Sequence, residues 1–196
     1  LLQCTFEESS RGEGGRVTVT VTYDGKTGEF EIFRTLEIQS PADLKKFRDN
    51  VNGGKTYKDE TVSLMVNIDL ENEKWTPIGL NADDDTKKFM GTFVGGNHKI
   101  SNLKVDLASG YTAAGFFGAL GGTLKDLTID GASIKHISAP NATGSTDNGI
   151  AVVAGSLYPS GSIENVTVKD ATVEGNRYVG GIAGYVYGSI TGCTVE

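Results

Sequence analysis

The residues able to carry chemistry are few and scattered. The two histidines, His98 and His136, and the two cysteines, Cys4 and Cys193, have no second His or Cys at the spacing a tetrahedral zinc site requires. No serine has glycine both two before and two after it, so the strained strand-to-helix turn that exposes a nucleophilic serine is not encoded. Gly25-Lys26-Thr27 and Gly54-Lys55-Thr56 match the end of a phosphate loop, but Thr20 and Asp49 stand where its first glycine must be. Asp83-Asp84-Asp85 offers carboxylates to a hard cation such as calcium, without the ligand spacing of a calcium hand. A polysaccharide lyase or hydrolase needs clustered acids with a positioned cation, or an acid pair at fixed separation. Here the acids are dispersed, and from Gly91 onward the one arginine is Arg177. These patterns predict no catalytic residues, no cofactor and no metal, with a carbohydrate-active enzyme kept as the alternative function.

Recognition is the other chemistry open to these side chains. Trp75, beside Pro77, could stack a sugar ring or pack as an interior cap residue. Tyr185 and Tyr187 flank Val186; if Val186 faces inward, both tyrosines face outward, as ligand contacts or as ordinary sheet-surface residues.

Elements must position these groups. Arg16 to Tyr23 reads RVTVTVTY, a strict period of two in β-branched residues, and Asp24-Gly25 supplies a turn into a second extended segment, Glu29 to Ile38. The pattern predicts an N-terminal β-hairpin. Ser40 as cap, Pro41 at the first helical position, Asp43 three residues after the cap, and Leu44, Phe47 and Val51 on one stripe predict a single helix over about 41–52, with Gly53 as its left-handed C-terminal residue. Val62, Leu64, Val66, Ile68 and Leu70 alternate as a strand.

The 196 residues carry 27 glycines and a net charge of -7. Such a surface repels phosphate backbones, which excludes general nucleic-acid binding. No apolar run approaches the ~18 residues of a membrane-spanning helix.

From Gly91 the sequence repeats. Ile100–Val105, Leu124–Ile129, Ile163–Val168 and Ile190–Val195 align, with starts 24, 39 and 27 residues apart. Gly115–Leu120, Val152–Leu157 and Gly181–Val186 precede the last three, and Ile129–Ile134 and Val168–Val173 follow two of them. Within each copy the apolar residues change parity across Asn102, Asp126, Asn165 or Gly192. A straight strand cannot turn all of them inward, so a sharp left-handed bend is expected there. On this alignment Leu103, Leu127, Val166 and Cys193 stack in one interior column. Units of strand, bend and strand cannot bury their apolar faces alone, so they must stack. The fold class expected is all-β, a parallel β-helix (solenoid) with one short N-terminal capping helix and an N-terminal hairpin. Residues 1–35 form a tether plus hairpin, and residues 36–196 form the β-helix. The chain stops inside the fourth bend motif, which predicts an unpaired edge on the last coil, either because the solenoid continues or because this edge contacts another molecule.

Ala42-Asp43-Leu44, Val51-Asn52-Gly53-Gly54, Trp75-Thr76-Pro77-Ile78-Gly79 and the repeats Gly115-Phe-Phe-Gly118 and Gly181-Ile-Ala-Gly184 resemble bacterial surface proteins with GLUG motifs. Val94-Gly95-Gly96-Asn97 departs from the Asp-Gly-Asn-Gly-like turn of that pattern. The resemblance implies a right-handed β-helix on the bacterial exterior, an adhesin, with no catalytic residue within the repeats. Leu1-Leu2-Gln3-Cys4 is similar to the end of a bacterial lipoprotein signal, with Gln3 where a small residue is expected, and a polar stretch follows at Glu7 to Gly15. Cys4 is thus either a lipid-attachment residue or an ordinary cysteine near a terminus.

The function expected is a non-catalytic surface module, an outer-membrane lipoprotein or a secreted protein. Its partner would be an extracellular glycan or protein, and any membrane attachment would be through a lipid only. A purely structural stalk is the remaining class.

Overall fold

Two-residue turns and left-handed bends divide this chain into short strands. The computed structural model describes residues 3–6, 15–79, 85–107, 113–136 and 149–196. Asp24 and Gly25, at φ 50° and 69°, close the hairpin between strands Gly15–Tyr23 and Lys26–Arg34, paired antiparallel from Gly15↔Arg34 to Tyr23↔Lys26. Another segment precedes the hairpin at Gln3–Phe6. These four residues form a third strand, with Cys4 opposite Val21. A hairpin leaves the outer edge of each strand with unpaired backbone groups, and this segment satisfies one of them. The polar stretch 7–14 lies outside the described residues.

The remaining strands pair parallel, and their order across each sheet follows their order along the chain. One sheet runs from Leu36–Ile38 through Thr61–Leu64, Thr92–Val94, Thr123–Asp130 and Ser162–Lys169 to Ser189–Thr191. A second holds Lys104–Leu107, Ser133–His136 and Thr172–Gly175, and a third Phe117–Leu120, Ala154–Leu157 and Ala183–Val186. Successive passes of the chain therefore lay one strand in each sheet. Apolar residues of successive passes fall in register: Val62–Phe93–Leu124–Ile163–Ile190 and Ile68–Ile100–Ile129–Val168–Val195. Apart from Ile190 and Val195, the residues of these two columns are buried. Each contributes about 1.5–3 kcal/mol by leaving water.

Outward positions stack as well. Thr61, Thr92, Thr123, Ser162 and Ser189 form one hydroxyl column. Asp106, Lys135 and Glu174 form another column, of alternating charge, with Lys135 Nζ 3.0 Å from Glu174 Oε2. Offsets between equivalent residues of successive passes are not constant. Ile100 answers to Ile129, Ile129 to Val168 and Val168 to Val195.

The bends are left-handed where the parity change requires it: φ is 56° at Asn102, 57° at Asp126, 53° at Asn165 and 65° at Gly192. The expected interior column, however, is corrected at Leu103. Ile100 pairs with Ile129, not with Leu124. Leu103 therefore heads a column with Ala132 and Ala171, since Lys104 pairs with Ser133 and Ser133 with Thr172. Leu127 stacks on Val166, and Cys193 follows in the same column, flanked by the pairs Glu164↔Thr191 and Thr167↔Thr194. The passes from Leu124 and Ile163 each have two bends with the same apolar–x–small/polar–apolar–x–apolar pattern, and Asn102 belongs with Gly131 and Asp170, which also have positive φ.

The helix Pro41–Asn52 follows the first strand of the largest sheet. Ser40 Oγ accepts from Asp43 N–H at 3.2 Å and donates to Asp43 Oδ2 at 2.7 Å, while that carboxylate accepts from Gln39 N–H at 3.2 Å. Leu44, Phe47 and Val51 are buried, and the Phe47 ring lies 5.2 Å from Tyr57, 5.3 Å from Phe89 and 5.7 Å from Phe93, centroid to centroid. The left-handed residue after the helix is Gly54 (φ 107°); Gly53 stays right-handed at φ −81°. At the far side of the stack the columns reach solvent, with Val186 46%, Ile190 39% and Val195 57% exposed.

Candidate functional site

The last pass carries three tyrosines in mutual contact, Tyr178, Tyr185 and Tyr187. Gly184 permits this contact locally. A Cβ at Gly184 would collide with the Tyr178 carbonyl oxygen and with Ile150 N. Without one, the Tyr178 carbonyl lies close and accepts from Ile150 N–H at 3.0 Å. Tyr178 is held at φ 47°, a conformation uncommon for a bulky residue and characteristic of constrained sites.

From this anchored backbone the Tyr178 ring meets Tyr185 edge to face, centroids 5.2 Å apart at 67°. Tyr185 meets Tyr187 in the same manner, 4.9 Å apart at 85°, and their hydroxyls share a hydrogen bond of 2.6 Å. The Arg177 guanidinium lies 5.4 Å from the Tyr178 ring centroid. Tyr178 is 45% and Tyr187 57% exposed, and Tyr185 is half-buried. By register Tyr185 continues the positions of Ala119 and Ser156, both buried and small. The arrangement can offer ring faces, a hydroxyl pair and one cation to a ligand. Sequence reasoning found Tyr185 and Tyr187 but missed Tyr178 and Arg177, because the chain reversal that returns them depends on Gly184. The glycine of the repeated motif was the available signal.

Trp75 lies apart from this group and is 2% exposed. Its ring stacks on Phe116 at 5.7 Å, Nε1–H donates to Phe116 O at 3.2 Å, and the Arg48 guanidinium covers it at 4.8 Å. No ring face is left for a sugar, so the ligand-contact role is replaced by an interior one. Cys4 is described by its backbone alone, inside a paired strand. Cys193 is half-buried, its Sγ 3.7 Å from Ile163 O. Asp83 and Asp84 lie outside the described residues, and Asp85 opens the short 3-10 turn Asp85–Lys87. His136 is fully buried, its Nδ1 3.3 Å from Leu107 O. Among the described residues no group of three or more His, Cys, Asp or Glu could hold a metal ion, and no helix is long and apolar enough to cross a membrane.

At the bends, the Asp69 carboxyl is held below its ordinary value by the Glu71 backbone N–H and the Asn102 side-chain amide; those bonds measure 2.8 Å each. Lys169 is shifted upward by its bond to Glu196, at 2.8 Å.

Comparison with known proteins adds three likenesses. Residues 175–196, the pass that carries the tyrosines, match the GLUG motif. The chain is 37% identical over 160 residues to halomucin of Haloquadratum walsbyi, an alignment covering 76% of this chain and 2% of halomucin. In fold it is similar to a protein provisionally assigned as an immunoglobulin A1 protease from Bacteroides ovatus, with a TM-score of 0.54 at 21% identity, over 83% of this chain and 57% of that one. Halomucin is archaeal, so the sequence likeness does not carry the bacterial source that the resemblance implied.

Proposed function

We propose that this chain is a non-catalytic, surface-associated binding module, wound over residues 36–196 as a right-handed parallel β-helix, whose exterior engages an extracellular ligand. The GLUG match and the likeness to halomucin support the surface setting, on a cell or in secreted form. The parallel register of three sheets supports the helical winding. The observation that carries the binding role is the linked group of Tyr178, Tyr185 and Tyr187, joined edge to face and through a shared hydroxyl bond. Such rings supply contact area at low entropic cost. The test is an array of extracellular polysaccharides and glycoproteins probed with the labelled chain. Retention on a subset, at a level reduced by Tyr187→Ala, is the expected result. Retention on none of them would leave a structural stalk as the function.

A further inference from the structure

We infer that Asn165 is a glycan attachment site, its side-chain amide carrying an N-linked oligosaccharide; this rests on the surface or secreted setting proposed above and not on the tyrosine group. Asn165-Val166-Thr167 is an N-x-Thr acceptor sequence. The other one, Asn141-Ala142-Thr143, lies outside the described residues. Attachment requires an amide nitrogen that reaches solvent and a hydroxyl two residues further on. Asn165 is exposed and Thr167 half-buried, while Val166 between them is buried in the core. The repeat itself supplies the hydroxyl, since Asp126-Leu127-Thr128, Asn165-Val166-Thr167 and Gly192-Cys193-Thr194 follow one another in register. At the other bends of positive φ the combination is broken: Asn102 precedes Leu103-Lys104, and Gly131 and Asp170 have no amide side chain. Among the described residues, amide and hydroxyl coincide at Asn165 alone.

The left-handed bend does not by itself call for an amide, because Asp126 and Gly192 meet the same requirement at φ 57° and 65°. The Asn165 carboxamide uses one N–H, donated to Asp126 Oδ1 at 3.1 Å, and an amide nitrogen carries two. The second hydrogen is the one a glycan replaces, so the bond between passes survives attachment. On the opposite rung Gly192 makes room for the carboxamide, since a Cβ there would lie 2.5 Å from Asn165 Oδ1. In the transfer, a bond forms between Asn165 Nδ2 and the anomeric carbon of the sugar. The bond from that carbon to the phosphate oxygen of a polyprenyl carrier breaks, the carrier leaves as its phosphate anion, and the displaced amide proton passes to a base of the transferase. The co-reactant is thus a lipid-linked oligosaccharide supplied by the host. The product is a bulky, hydrated chain that projects from the rim of the bend column into solvent.

The test is mass spectrometry of the full chain secreted from a host that N-glycosylates its exported proteins, with a co-secreted glycoprotein verifying that the host's transferase is active. Asn141→Gln in the same chain leaves Asn165 as the single acceptor sequence. A glycan mass increment on the proteolytic peptide that contains Asn165 is expected. Thr167→Ser should retain the increment, and Thr167→Val should abolish it although Asn165 is still present. Asn165→Gly should abolish it too; glycine satisfies the bend, as at Gly192, and an unchanged circular dichroism spectrum verifies that the variant is folded. An unmodified Asn165 beside a modified control glycoprotein overturns the inference, as does an increment that Thr167→Val leaves in place. Neither result touches the binding-module reading, which stands or falls on the array, so the two failures are distinguishable.

Discussion

Asn165 donates its side-chain amide to Asp126 Oδ1 across 3.1 Å, from one pass of the chain to the next, and both residues have positive φ, 53° and 57°. Gly192 continues the column, and a Cβ there would come within 2.5 Å of Asn165 Oδ1. The bend column thus needs residues that tolerate the left-handed region, together with a small one where the amide projects. Asn165→Ala is expected to cost about 1–2 kcal/mol from the unfavourable φ and the lost hydrogen bond. Asn165→Gly should cost clearly less, because glycine meets the conformation freely. Equal shifts of the urea midpoint for the two variants would show that φ is not the cause.

The corrected register gives a sharper test. Leu103 shares its column with Ala132 and Ala171, and it is fully buried. Leu103→Ala should cost about 2–5 kcal/mol as a cavity. Adding Ala132→Leu in the same chain should recover part of the loss, since the neighbouring rung can refill the space. The same Ala132→Leu change should not help Leu127→Ala, whose column runs through Val166. Chemical denaturation of the two double variants distinguishes the registers: no recovery of Leu103→Ala by Ala132→Leu would reopen the alignment of Ile100 with Leu124.

Trp75 is the single tryptophan, so its fluorescence reports one environment. Burial and the ring stack on Phe116 predict emission that resists acrylamide quenching and does not change when a glycan is added. Trp75→Phe should lower stability by about 1–2 kcal/mol, through loss of the donation to the Phe116 carbonyl and of packed area. Glycan-dependent quenching of the native protein would reopen Trp75 as a contact.

Acid sensitivity follows from Asp69. Its carboxyl is lowered by the Glu71 N–H and the Asn102 amide. Stability from a depressed carboxyl is present above the unfolded value, about 4, and is lost as pH falls through the lower folded value. Unfolding midpoints should therefore decline below about pH 4, and Asp69→Asn should flatten part of that decline while leaving the neutral-pH slope unchanged. An unaltered acid limb in the variant would remove Asp69 from the account.

Much of this architecture was readable from residue types. The parity change across Asp126, Asn165 and Gly192 forced a bend, and only a few residue types accept the φ that such a bend needs. The Ser40, Pro41 and Asp43 signals gave the helix, since capping is local chemistry. The register of Leu103 was not readable, because the two bends of the passes from Leu124 and Ile163 share one pattern and only cross-strand pairing tells them apart. The strand at Gln3–Phe6 depends on a long-range partner in the same way. Of the candidate site, Tyr185 and Tyr187 followed from alternation along a strand, whereas Tyr178 and Arg177 join them through a reversal over Gly184 that no local pattern specifies.

The unequal offsets between passes have a common origin. Between the third sheet and the next pass the chain spends few residues each time, from Leu120 to Thr123, Leu157 to Ser162 and Val186 to Ser189. Between the second and third sheets it spends from Leu107 to Phe117, His136 to Ala154 and Gly175 to Ala183. Length variation is thus confined largely to one corner, and the registered columns on either side of it are indifferent to how much chain is spent there. The connections at that corner differ in length from pass to pass, while the registered strands on either side keep theirs. The same corner is the natural place to graft a foreign peptide for display.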